Sequence, residues 1–418
     1  MGVALVPALL RSPGHARRIV IMGERAEPNV ARCMTVEHGQ GSWELLRGTP
    51  PRGLVGPAWS AVARSTVTRS VDDRSITVVT DHRGAADLLS SPLWGRAAAQ
   101  RDVVGPASAM SVTDMDPPRH TRFRGLIGNA FSARAVERLR PHIARRASEL
   151  VGELRTTGPP ADLVTRFCVP FAFGVHCDLL GIPHDARSTL LLWSLARSGR
   201  PGASPEQIAQ VERELVSVVT SVLDRQRWSG NGDGLFPVLL QYHRDGELGD
   251  DEVLGLAASL FFDGHILASA QIAHAVLCLL LHPEQLRRIR IDPTLIPAAA
   301  EEVLRFSPAI TLGMTRTSTS VGVTAASVAF GLANRDPTVF RHPEAFSIDR
   351  RPNPHLSFGR GVHHCLGAAL MRQELHVAIE ALLCALPRLR LAEPEHAIGW
   401  SASLAIRSLD MLVLDWQT

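Results

Sequence analysis

"HLSFGRGVHHCLGAALMRQE", His355 to Glu374, is the stretch on which the reading of this 418-residue chain turns. Phe358-Gly359 and Gly361 make a glycine-rich loop in which the backbone can turn sharply and approach a bound molecule. Cys365 follows at the expected start of a helix, where amide N–H groups and the helix dipole favour a thiolate. Gly367 leaves room for a flat ligand to lie close to that helix. A zinc or copper site built from His363, His364 and Cys365 is the competing reading. Adjacent residues rarely converge on one metal, and the sequence offers no second cluster to complete a tetrahedron.

A thiolate held by loop amides is what axial ligation of haem iron requires. The stretch resembles the cysteine loop of the cytochrome P450 family, F-x-x-G-x-[HR]-x-C-x-G, through Phe358, Gly361, His363, Cys365 and Gly367. The resemblance implies haem b (iron protoporphyrin IX) as cofactor, with Cys365 as the iron ligand and those neighbours against the ring. Further upstream, "EEVLRF" supplies Glu302 and Arg305, which share a helix face at i, i+3 and resemble the family's E-x-x-R pair. "EAFSIDR" resembles the segment that adds a third member, Arg350, to that buried network. "MDPPRHTRFR" is similar to the helix that meets the haem propionates, with His120 and Arg124 one turn apart and both able to donate to a carboxylate. Arg316, His355 and His363 match further propionate partners.

Bulk properties agree with a soluble globular enzyme. Hydrophobic content of 45% with 20% charge is ordinary, and a net charge of +3 gives no support to a nucleic-acid partner. All 44 basic residues are arginine. The six cysteines are scattered without a C-x-x-C pair, which argues for a reducing, cytoplasmic setting and against a disulfide framework. Residues 1–40 are expected to form a loosely ordered N-terminal extension, and 41–418 a single domain. Residues 58–90 read as strand-rich and 116–310 as helical, with Asp116 capping a helix that begins at the two prolines. Residues 311–335 turn strand-like, and a helix resumes at the cysteine. The fold class is therefore mainly α with a smaller β-rich portion. The resemblance implies the cytochrome P450 fold, with haem between a long distal helix and the cysteine loop.

That distal helix is expected in "SLFFDGHILASAQIAHAVLCLLL", Ser259 to Leu281. The segment is long enough to span a bilayer, but Asp263, His265, Gln271 and His274 make insertion expensive. A buried core helix is the expectation, with no membrane association. Family members usually carry [AG]-G-x-[DE]-T here, whose acid and alcohol help deliver protons to dioxygen. This chain has Ile266 at the acid position and Leu267 at the alcohol position. Asp263, one turn earlier on the same face, has three readings: a cap on the turn at Gly264, an anchor for substrate, or a displaced proton donor. His265 lies about 200° around the helix from Leu267 and is expected to pack elsewhere.

By resemblance, the substrate pocket is lined by Trp94, Phe262, Asp263, Ile266, Leu267, Leu312, Met314 and Ser403, and also by residues 171–175, with Trp400 at the entrance. Asp263, Ile266 and Leu267 are the positions expected to set the chemistry. The family implies a haem-thiolate oxidoreductase, and the missing acid–alcohol pair points toward radical C–C or C–N coupling, ring closure or desaturation of a small natural-product scaffold. Ordinary hydroxylation with protons from substrate or water, and a non-catalytic haem-binding sensor, are the alternatives. Electrons are expected from a separate ferredoxin and ferredoxin reductase, met by Arg122, Arg360 and Arg372 on the cysteine side of a monomer.

Overall fold

The computed structural model describes residues 19–23, 34–36, 65–71, 74–96, 112–188, 190–191, 234–318, 325–400 and 406–417, with isolated positions between 217 and 224. Strands β1 (Ile19–Gly23), β2 (Met34–Val36), β3 (Ser65–Val71), β4 (Arg74–Val79), β5 (Trp94–Gly95), β7 (Arg316–Ser318) and β8 (Ala325–Val328) form one sheet in the order β2-β1-β3-β4-β8-β7-β5. Branched residues in β3 and β4 pair across the antiparallel ladder, Val67 opposite Val78, as their alternation predicts. β1 pairs with β3 and β2 with β1. At those two stretches the chain is sheet rather than loose extension, because Ile19, Val20 and Ile21 have β-favouring side chains and a partner strand to pair with. The rest of 1–40 lies outside the described residues.

A second sheet, in the order β6-β10-β9, joins β6 (Ala161–Asp162), β9 (Arg390–Leu391) and β10 (Val413–Asp415). Among the described residues, the α-helices longer than the single turn Phe330–Ala333 are α1 (His82–Ser90), α2 (Arg119–Gly128), α3 (Ala133–Thr157), α4 (Val169–Leu180), α5 (Leu235–Arg244), α6 (Asp250–Leu281), α7 (Pro283–Ile291), α8 (Ile296–Phe306) and α9 (Ala368–Ala385). The architecture is mainly helical with a smaller β portion, as the sequence predicts. Asp116 departs from its expected role. Pro118 occupies the N-cap of α2 without a side-chain bond, while both Asp116 carboxylate oxygens accept from the Arg96 N–H at 2.9 Å. Two consecutive prolines separate that carboxylate from the α2 amides, so it caps the turn after β5 instead.

α6 positions the site. Asp250, Asp251 and Glu252 in its first turn complement the helix dipole, and Glu252 accepts from the Gly249 N–H at 3.1 Å. The helix is apolar around its circumference and packs against α4, α5, α8 and α9, as a buried helix should. It is long and apolar enough to cross a membrane, yet 67% of its most apolar window is buried by its neighbours. At Gly264 it meets α4 closely: an added Cβ would lie 1.9 Å from His176 Nε2. His265 faces the same neighbour, with its ring centroid 5.6 Å from Phe173 and Nδ1 2.8 Å from the Phe261 carbonyl. Burial, with His176 adding, holds His265 down to a pKa of about 3, so it is a neutral core histidine. Residues 171–175 belong to this core as well, with Phe171 stacked on Phe167 at 5.3 Å and 0% exposed. They do not line a pocket, because α4 turns its phenylalanines toward α6 and the preceding turn.

Candidate active site

Cys365 lies three residues before α9, at the end of a tight loop. Gly359 and Gly361 have φ of +67° and +73°, values that glycine adopts without a steric penalty. At Gly361 the need is also one of space. A Cβ would sit 2.6 Å from the Leu89 carbonyl oxygen and 2.9 Å from Ser90 Cα, because the end of α1 presses on the loop. The Cys365 N–H donates to the Phe358 carbonyl at 2.8 Å and closes the turn. Phe358 is buried beneath the Arg372 guanidinium, whose Cζ is 4.5 Å from the ring centroid. Cys365 is exposed, and nothing lies within 4 Å of a Cβ built on Gly367, so the sulfur and its flank present an open face.

Beside this loop, α2, β5 and β7 bring cations together. The His120 and His363 ring centroids are 4.3 Å apart, and Arg124, one turn along α2 from His120, has its pKa lowered by burial, an effect that the neighbouring Cys365 opposes. Arg316 on β7 donates to the Trp94 carbonyl at 3.2 Å. Arg96, which the sequence did not single out, joins them from the end of β5, 3.7 Å from Asp114 and bonded to Met314 Sδ. Burial first, then Arg96, His120 and Arg316, holds His363 down to about 3. Burial and Arg124 lower His120, and burial and Arg96 bring Arg316 down to about 10. His120 Nδ1 and His363 Nε2 are buried without a hydrogen bond; the nearest Asp116 oxygen is 3.6 Å from His363. A crowd of mutually repelling donors next to an accessible thiol fits a flat group with two carboxylates, which is the shape and charge of haem.

The E-x-x-R pair forms as expected. Arg305 donates from Nε and Nη2 to both Glu302 oxygens at 2.8 Å, with both side chains fully buried. Its remaining donors reach the carbonyls of Asn334, Pro343 and Ala345. Arg350 completes the network at 3.1 Å from Glu302. His355 is not among the propionate-type donors. Its Nε2 faces Glu301 at 3.1 Å, and Arg372 donates to the same carboxylate at 2.7 and 2.9 Å. His355 and Arg372 together hold the Glu301 carboxyl down to about 2 despite its burial.

The expected basic face is thereby reduced. Glu301 occupies Arg372, and Glu252 lies 3.2 Å from Arg122, which leaves Arg360 exposed on the loop itself.

On the distal side, Ile266 and Leu267 are half-buried, between the buried His265 and Ala268 of α6. Neither has a titratable group, and Ser269 spends its hydroxyl on the Ile266 carbonyl at 2.9 Å. Phe262 and Asp263 lie in α6, but their side chains fall outside the described residues, as does Ser403. Gln271 and His274 clamp the segment after α8. Gln271 bridges the Ser307 carbonyl and the Ala309 N–H at 3.0 and 2.8 Å, and His274 Nδ1 meets the Ser307 carbonyl at 3.0 Å. Trp94, Leu312 and Met314 are half-buried around β5 and the approach to β7. Trp400 packs against His274 at 5.2 Å and against the Arg407 guanidinium, whose Cζ is 3.6 Å from the Trp400 ring centroid.

Comparison with known proteins agrees with this geometry. The family description "Cytochrome P450" matches residues 208–386. A mycinamicin IV hydroxylase/epoxidase of Micromonospora griseorubida is 36% identical over 72% of this chain and 79% of its own. Among solved structures, HinD superposes with a TM-score of 0.79 at 32% identity, covering 87% of this chain and 96% of that one. CxnD, described as the enzyme for C–S bond formation in chuangxinmycin biosynthesis, superposes at 0.74 with 28% identity, over 82% and 88% of the two chains.

Proposed function

This chain belongs to the cytochrome P450 family, and from that premise we propose that it forms a new bond or double bond within a natural-product scaffold rather than adding oxygen to it. It is a P450 monooxygenase of the kind that oxidises natural-product substrates, with haem b as cofactor. Thiolate-ligated haem supplies, when bound, activation of dioxygen with electrons from a separate donor. Cys365 is the residue that would hold the iron. His120, Arg124, Arg316 and His363, together with Arg96, would hold the propionates. Phe358, Gly361 and Gly367 would shape the surface on which the ring lies.

Bond formation is supported by the half-buried faces at Ile266 and Leu267, which are hydrocarbon. Apolar side chains there exclude water and offer no proton at the position where the family places an acid and an alcohol. In the bond-forming reading the substrate itself gives up two hydrogens: these, one dioxygen, two electrons from the donor protein and two protons end as two waters, while the two substrate centres join. The C–S bond-forming description of CxnD supports the same direction. Asp263, on the turn before, remains our candidate for anchoring a donor group of the substrate or supplying a proton. Trp94, Leu312 and Met314 would add apolar wall. The hydroxylase/epoxidase relative favours a second reading, oxygen insertion with protons drawn from substrate or water. Electrons would come from a ferredoxin and its reductase docking near Arg360.

Turnover under ¹⁸O-labelled dioxygen with a surrogate ferredoxin and reductase separates the two readings. Bond formation predicts a product lighter than its precursors by two hydrogens and free of label. A product carrying one labelled oxygen per NADPH consumed would overturn it.

A further inference from the structure

Outside the cysteine-loop cluster, the buried guanidinium groups among the described residues have carboxylate partners, with one exception. Arg305 and Arg350 share Glu302, and Arg335 lies 3.3 Å from Glu344. Arg407 is buried at 5% exposure, yet no carboxylate lies in ion-pair range of it among the described residues. Its Nε and Nη2 are buried without a hydrogen bond.

The neighbours do not supply the missing charge. Arg335 is a second cation, and burial together with Arg335 brings Arg407 down to about 9. Burial drives the Cys278 thiol up to about 12, so it stays neutral. His274 is held near 3 by burial and by Arg407, and it too is neutral. The Trp400 ring lies 3.6 Å from Cζ and offers its π face. That contact offsets part of the desolvation, but it covers the flat of the guanidinium and leaves the in-plane N–H donors unmet.

An unpaired buried cation is among the most expensive features a fold can carry. This one is also firmly placed. The Arg407 N–H donates to the Ala309 carbonyl at 2.8 Å, and Ile406 pairs with Ile310, which lays the strand against the segment leading to Leu312 and Met314. Gln271 of α6 fixes Ala309 from the other side. The guanidinium is therefore anchored behind one expected wall of the substrate pocket.

We propose that Arg407, backed by Trp400, forms a buried site for a single monovalent anion, a carboxylate or a halide. Nε and Nη2 donate to it, and Arg335 adds long-range attraction. Two sources share that chemistry: a small free anion, or a carboxylate carried by the substrate. The site stands whether the reaction couples bonds or inserts oxygen, so it can fail or survive independently of the reading above.

Thermal unfolding of the haem-loaded full chain in sodium gluconate, with chloride or formate exchanged in at constant ionic strength, reads the free-anion arm. The wild-type midpoint should rise by about 2–4 °C, and Arg407→Met should show no such dependence. Spectral titration with indole-3-propionic acid and its methyl ester reads the other arm. If the substrate is the source, the acid binds wild type about tenfold more tightly than the ester, and Arg407→Met removes the preference. Wild-type crystals soaked in bromide provide a test that needs no variant to fold. A free-anion site puts an anomalous peak within hydrogen-bond distance of Arg407 Nε or Nη2. The proposal is overturned if wild type shows no anion dependence, no acid preference and no bromide peak. It is equally overturned if either dependence persists in Arg407→Met.

Discussion

Arg305→Ala is expected to leave little soluble, haem-loaded protein. The substitution leaves a fully buried Glu302 carboxylate with Arg350 as its one cation, beside the neutral donors Ser347 N–H and Asn353 Nδ2, and it removes the donor from the carbonyls of Asn334 and Pro343 while Ala345 keeps Arg350. Breaking one side of a buried ion pair costs about 3–5 kcal/mol, and each stranded acceptor adds about 1–3 kcal/mol. Together these approach the ~5–15 kcal/mol that holds a typical domain folded. The lost carbonyl contacts matter for the site because Asn334 also accepts from the Leu356 N–H at 2.7 Å and donates to Ser357 Oγ at 2.8 Å. Residues 356–357 lead directly into the cysteine loop. Soluble yield, circular dichroism and haem-to-protein ratio check the outcome. Arg305→Lys should rescue only in part, since one ammonium cannot reproduce the fork on Glu302 and still reach three carbonyls. Wild-type yield and haem content in Arg305→Ala would show the network to be dispensable.

Gly361→Ala is expected to fold but to retain haem poorly, with its affinity for haem down on the order of 10²-fold. A positive φ at a non-glycine residue costs about 1 kcal/mol. The larger effect is steric, because the new Cβ would fall 2.6 Å from a backbone oxygen of α1, and backbone atoms cannot rotate away. Forcing atoms into a filled space costs about 1–3 kcal/mol more, here met by shifting the loop that carries His363 and Cys365. Gly152→Ala on α3 is the control. Nothing lies within 4 Å of its Cβ position, so the same change should be neutral or stabilising by about 0.5–1 kcal/mol through helix propensity. Equal haem retention in the two variants would refute the steric account. Midpoints of thermal unfolding, measured beside haem content, separate a local effect from global loss of stability.

Much of the site was legible because it is local. The loop from Phe358 to Gly367 and the Glu302–Arg305 pair depend on spacing within one turn or one helix, and spacing is what a sequence displays. The Ile266–Leu267 substitution was legible for the same reason. What was missed depends on long-range pairing. Arg96 reaches the cation cluster only because β5 pairs with β7, Trp94 opposite Ser318, which no local pattern announces. His355 was expected among the propionate partners and lies against Glu301 instead. The signal was present in the doublet Glu301-Glu302. Consecutive residues on a helix point about 100° apart, so two carboxylates there serve two different groups of cations. Asp116 misled in a similar way, since a residue suited to capping a helix also suits capping a turn that approaches it in space. Gln271 and His274, legible in the sequence only as polar groups in an apolar helix, are spent on the backbone after α8, where chain connections need their orphan carbonyls satisfied.

The central claim is that Cys365, as a thiolate, holds haem in this fold. The absorption spectrum of the reduced carbon-monoxide adduct of the purified full chain tests it most directly. Thiolate ligation predicts the long-wavelength Soret band distinctive of a haem–thiolate pair, lost in Cys365→Ser. A shorter-wavelength band typical of histidine or neutral-thiol ligation in the wild type, or a long-wavelength band that survives in Cys365→Ser, would contradict it.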